Sequence, residues 1–153
     1  MRKFFYALVT MSLVGATTAA AQVRSEVEVL RQEIRTDRQA VVAKNLPMSE
    51  AQAAAFWPAY REYRAEVTAV GDRMVTLITN YSKQYKTMKD ADAEPMLKEW
   101  LDIQEAQVKV RSKNVARFKK ILPAASVARF YQIENKMDAI MNVELAAGIP
   151  LVP

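Results

Sequence analysis

The stretch Ser49-Glu50-Ala51-Gln52-Ala53-Ala54-Ala55-Phe56-Trp57-Pro58-Ala59-Tyr60 opens the segment whose periodicity decides the fold. Ser49 and Gln52 make an S-x-x-Q capping box, in which each side chain satisfies a backbone N–H orphaned by a helix start. Met48 stands where a hydrophobic staple would pack. From there Phe56, Tyr60, Tyr63, Val67, Val70, Met74, Leu77, Tyr81, Tyr85 and Met88 recur at spacings of three and four, a sustained helical stripe. Pro58 cannot donate to the carbonyl of Ala54, so a kink is expected there, and Gly71 costs roughly 1 kcal/mol relative to Ala.

Outward from this helix the same period continues. Upstream, a helix is expected from about Ser25 to Lys44, with Val27, Leu30, Ile34 and Val41 on one face, broken by Asn45-Leu46-Pro47. Downstream, Asp90-Ala91-Asp92 marks a turn, Asp92 caps a third helix, and Pro95 falls in its first turn where a missing N–H is harmless. Its inward stripe reads Met96, Trp100, Ile103, Gln107, Val110, Asn114, Phe118 and Ile121, with a less dry middle at the two polar positions. Leu122-Pro123 punctuates the chain. A fourth helix follows with Val127, Phe130, Ile133, Met137 and Ile140 inward until Gly148, and the apolar tail Ile149 to Pro153 packs back. No run alternates as a half-buried strand would. The expected fold class is all-α, about four helices including a long antiparallel helical hairpin.

The first residues carry a different signal. Arg2 and Lys3 precede an apolar run from Phe4 to Val14, and Ala19-Ala20-Ala21 stands before Gln22. This is the order of a cleavable signal peptide, and the run is shorter than the roughly 20 residues that span a bilayer. Residues 1–21 therefore read as a signal peptide, residues 22–153 as a single helical domain, and the mature protein as periplasmic, without stable membrane insertion. Removing Arg2 and Lys3 lowers the formal charge from +5 to +3, with 20 basic residues against 17 acidic. So mild a bias does not describe a nucleic-acid binder.

The chain has no His and no Cys. The usual general base, the thiolate nucleophile and the common metal ligands are missing, and the carboxylates are interleaved with Lys and Arg on polar faces. No phosphate-cradling glycine loop exists. The sequence therefore reads as a non-enzyme with no catalytic residues, no metal site and no cofactor. Met137 and Met141, one turn apart, could suit a cuprous ion, although their apolar neighbours favour core packing.

Two features could touch a partner. Lys109, Lys113, Arg117 and Lys120 form a cationic line on the third helix. It is either a solvated face that balances the helix dipole or a surface for acidic clients or lipid head groups. Phe56 and Trp57, adjacent and so about 100° apart, cannot share one narrow stripe. One of them either seals the first helix against the second or faces a partner. These six residues are the candidate client-binding set.

Met48-Ser49-Glu50-Ala51-Gln52 resembles the Leu-Thr-x-x-Gln motif of the Spy/CpxP-like group of small periplasmic helical proteins. A second copy would fall at Leu122-Pro123-Ala124-Ala125-Ser126, where the leucine matches. Phe56-Trp57-Pro58-x-Tyr60, Ala128 to Lys136 (ARFYQIENK) and Ile149-Pro150-Leu151 are similar to a group of exported proteins of Gram-negative bacteria. The resemblance implies a curved helical homodimer that shields unfolded or envelope proteins as an ATP-independent holdase, or an accessory of the envelope stress response. The alternative is a non-catalytic module that binds one specific envelope partner through a helix groove. Metal-sensing relatives use His-rich segments, which this chain lacks.

Overall fold

The computed structural model describes residues 38–153, which form one compact unit, and it is all-α, with no strand among the described residues. The expected signal peptide and the helix face at Val27, Leu30 and Ile34 lie outside the described residues. Helix α1 covers 38–45 and α2 Glu50–Gln84. A 3-10 turn at Tyr85–Thr87 leads to α3, Asp90–Phe118, and α4 is Ala124–Gly148.

The expected capping box forms: Gln52 N–H donates to Ser49 Oγ at 3.2 Å and Ser49 N–H to Gln52 Oε1 at 2.9 Å. Pro58 lies inside α2 without ending it. Helix α3 starts three residues earlier than expected, so Asp92 is its third residue and receives the Lys89 N–H at 3.3 Å. Pro95 consequently falls beyond the first turn. At the other end, the Leu122 N–H reaches the Phe118 carbonyl at 2.8 Å and Pro123 prevents continuation.

Side-chain ties fix the directions of the helices. Lys113 meets Glu66 and Arg73 meets Glu99, so α2 and α3 are antiparallel. Arg64 meets Glu134, and Tyr81 Oη donates to the Pro150 carbonyl at 2.6 Å, so α4 runs alongside α2 in the same sense. Arg38 meets Glu134 while Arg129 Nε donates to the Asn45 carbonyl, so α1 is antiparallel to α4.

The core sits where all four helices meet. Phe56, Tyr60 and Tyr63 of α2, Phe118 of α3 and Phe130 of α4 are buried together with Val42, Leu46, Leu122 and Val127. Ring centroids lie 4.8 Å apart for Phe118 and Phe130 and 5.4 Å apart for Phe56 with either, and the Phe56–Phe130 pair is edge-on. Such pairs add about 0.5–1.5 kcal/mol each beyond the area they bury.

Three sequence expectations shift by part of a turn. In α1 the inward positions are Arg38 and Val42, with Leu46 just beyond, while Val41 is exposed. In α3 the inward line passes through Ile103, Asn114 and Phe118; Trp100, in line with Phe118 on the helix wheel, is nonetheless exposed. In α4 the buried line is Val127, Phe130 and Glu134, and Ile140 faces out. The tail is pinned only at Pro150; Leu151 and Val152 are exposed rather than packed.

Candidate functional site

The interior holds a charge cluster. Glu134 is 1 % exposed and Arg38 3 %, yet both belong to residue types that carry full charges. Arg38 Nη1 donates to Glu134 Oε2 at 3.2 Å and its Nη2 to Asp138 Oδ1 at 2.6 Å. Arg64 donates to Glu134 Oε2 at 2.9 Å, Tyr60 Oη lies 3.5 Å from Glu134 Oε1, and Arg111 donates to Asp138 Oδ2 at 2.7 Å. One residue or more from every helix thus converges on two carboxylates of α4.

Burial pushes the Glu134 carboxyl above its ordinary value, opposed by the Arg64 and Arg38 charges. Burial, followed by the Glu134 charge, also raises the Tyr60 and Tyr63 phenols and moves Tyr131 up to about 12. Every carboxylate oxygen of the cluster faces a guanidinium or a phenol. The arrangement is an interhelical tie, which holds α1 against α4 and α2.

This cluster also reaches Met141. Met141 Sδ accepts from Arg38 Nη2 at 3.3 Å, so a guanidinium occupies the position that a soft cation would take. Among the described residues there is also no group of three or more His, Cys, Asp or Glu placed to hold a metal ion.

The sequence-derived client set divides. Phe56 is fully buried at the centre of the aromatic core and can touch nothing outside the folded chain. Trp57 is half-buried, edge-on to Phe56 at 5.1 Å and to Tyr60 at 5.6 Å, and packs against the core. Three members of the cationic line carry acidic partners: Lys109 with Glu105 at 2.7 Å, Lys113 with Glu66 at 2.9 Å and Arg117 with Glu62 at 2.8 Å. Lys120 is exposed and has no ion pair among the described residues. Lys113 and Arg117 are therefore rungs of a charge ladder between α2 and α3, while Lys109 pairs within α3 and Lys120 lies beyond its end. Lys113 holds the Glu66 carboxyl below its usual range, and Asn114, buried, donates to the other Glu66 oxygen at 3.0 Å.

What the sequence reading missed is the outer face of α3. Leu97, Trp100, Leu101 and Val108 are between 45 and 60 % exposed. At 100° per residue the three aliphatic residues and Gln104 fall within about 60° of one another, with Trp100 extending the arc to about 100°. The stripe is roughly 16 Å long. It could have been read from the sequence, because 97, 101, 104 and 108 keep their own spacing of three and four, but the stronger stripe through Ile103 and Phe118 drew the single inward assignment. Beside the stripe's end of the hairpin, α2 and α3 enclose an open groove of about 570 Å³ lined by Leu77, Asn80, Gln84, Pro95, Met96 and the Arg73–Glu99 pair. Ile140 and Val143 on α4 are exposed as well.

No described helix is long and apolar enough to cross a membrane. No protein-family model matches the chain, and no curated protein or solved structure matches it either.

Proposed function

We propose that the chain is an exported, non-catalytic binding protein of the periplasm, released from its signal peptide after Ala21, that captures apolar segments of other proteins as an ATP-independent holdase. The observation that carries this reading is the exposed Leu97–Trp100–Leu101–Val108 face, since exposed contiguous apolar surface marks interaction sites. The missing His and Cys, the signal-peptide pattern and the resemblance to Spy/CpxP-like proteins support the same reading. Capture is loose and reversible: exposed aliphatic side chains cover client surface while the surrounding charges keep the complex in solution. The resemblance adds homodimerisation and a role in the stress response to the proposal.

The stripe occupies one face of one helix, and this narrowness favours a second reading, a module for one partner. Aggregation assays with several unrelated unfolded proteins separate the two. A holdase protects most of them and loses protection in the Leu97→Gln/Leu101→Gln variant. Protection of none, with the variant and parent alike, would overturn the holdase.

A further inference from the structure

The first half of α3, which carries the stripe, is acidic, with Lys86 and Lys89 in the turn before it. Between Asp90 and Val108 stand six carboxylates, at Asp90, Asp92, Glu94, Glu99, Asp102 and Glu105, and one cation, Lys98. Lys98 is bound to Asp102 at 2.6 Å, Glu105 is matched by Lys109, and Glu99 by Arg73 through two bonds of 2.9 and 3.0 Å. Asp90 and Glu94 are exposed and have no ion pair among the described residues. On the helix wheel they lie about 20° and 60° from Leu97, on the edge of the stripe itself. Trp100, on the opposite edge, offers an exposed indole face, the strongest aromatic partner for a cation. The cations in the second half of α3 are already matched, Lys109 by Glu105, Arg111 by Asp138, Lys113 by Glu66 and Arg117 by Glu62.

We propose that the Leu97–Trp100–Leu101–Val108 face is the docking site of a basic amphipathic helix on a partner protein, whose apolar side chains seat on the stripe while its Lys or Arg side chains meet Asp90, Glu94 and the Trp100 ring. Anchors at i, i+3, i+4 and i+11 are those a facing helix reads, as in other helix-on-groove complexes. An acidic segment or an anionic lipid surface is disfavoured at this end of α3 by the same unpaired carboxylates. The inference rests on the reading of this face as the capture surface and adds the charge of what is captured.

The test uses the full chain and two synthetic helical peptides with identical leucines, one carrying lysines and the other glutamates on its polar face. Calorimetry is expected to show binding of the lysine peptide and binding of the glutamate peptide about tenfold weaker or worse, with the difference shrinking as salt is raised. Asp90→Asn/Glu94→Gln should erase the preference, Trp100→Ala and Leu101→Gln should weaken binding of the lysine peptide, and Val143→Gln on α4 should leave it unchanged. Circular dichroism confirms that each variant is folded. Equal affinity for both peptides overturns the charge inference and leaves the capture reading standing. Failure of both peptides to bind overturns the two together. A dimer in sedimentation that Leu101→Gln dissociates would assign the face to a second copy and overturn the proposal in that way.

Discussion

The two ends of the α2–α3 hairpin use the same residue types for opposite purposes. At the bundle end, aromatic rings and ionised groups are enclosed together: Phe56, Phe118 and Phe130 make the apolar centre, and Arg38 and Glu134 are sealed beside it. At the hairpin's turn the aliphatic residues Leu97 and Leu101 and the charges Arg73, Lys98, Glu99 and Asp102 lie on the surface. The contrast follows from helix count. Four helices enclose a core near Phe130, whereas near Leu97 the outer face of α3 has no helix over it among the described residues. Stability is therefore concentrated at one end and exposed apolar surface lies at the other, which allows each to be altered separately.

The largest expected effects break the bundle end. Phe118→Ala should cost about 3–5 kcal/mol, because the cavity left between Phe56, Tyr63 and Phe130 is bounded by rings that cannot collapse far. Trp100→Ala at the other end should stay within about 0.5 kcal/mol of the parent, as surface substitutions usually do. Urea midpoints for both variants check the comparison directly. Comparable losses in the two would show that the stripe is structural.

Glu134 gives a sharper version of the same contrast. Glu134→Ala leaves Arg38 buried without one of its carboxylates and should cost about 3–5 kcal/mol. Glu134→Gln should cost much less, since it retains an oxygen for the arginines and since burial already disfavours the charged carboxylate. The pH dependence follows from that direction. A carboxyl whose folded value is raised binds its proton more tightly in the folded chain, so its contribution is fully present below the ordinary carboxylate range and is lost as pH rises through the raised value. The stability of the parent should accordingly decline across this window relative to Glu134→Gln. Midpoints measured for both from pH 4 upward test the sign, and a parent that gains on the variant as pH rises would reverse it.

A smaller effect is expected at the start of α2, where Ser49→Ala should cost roughly 1 kcal/mol through loss of the cap. That motif shows how much was legible in the chain. The capping box and the stripe through Phe56, Tyr60 and Tyr63 follow from local chemistry and appear where spacing places them, while α3 ends at Phe118, short of Leu122-Pro123. The missed features share a cause. Arg38 and Glu134 are polar and are separated by 96 positions in sequence, so helical periodicity assigns both to the surface, and only the packing of α1 on α4 turns them inward. Trp100 and Ile140 fail in the other direction: apolar character placed them inside, but Trp100 is exposed although in line with Phe118, and the line through Glu134 took the interior from Ile140. The cationic line was legible as a line, whereas the acidic partners of Lys113 and Arg117 on α2 required the register of two helices.

The smallest change in stability is expected from the Gln variant of that line, Lys109, Lys113, Arg117 and Lys120 together. The pairs it removes join solvent-exposed or partly exposed groups, for which a contribution near zero to 1 kcal/mol is typical, and Gln keeps helix propensity nearly constant. What should change is the pH response of Glu66: without Lys113 its carboxyl moves back toward the ordinary range, so the part of stability present above that range and lost on acidification diminishes. Aggregation suppression should persist, because the capture face proposed on α3 lies on the other side of the helix from these cations and does not use them. A folded variant that protects acidic clients no longer, yet still binds the lysine peptide, would show that the charge ladder and the apolar stripe are separate sites. Loss of protection for every client together with peptide binding would instead show that the ladder holds α3 in the register on which the stripe depends.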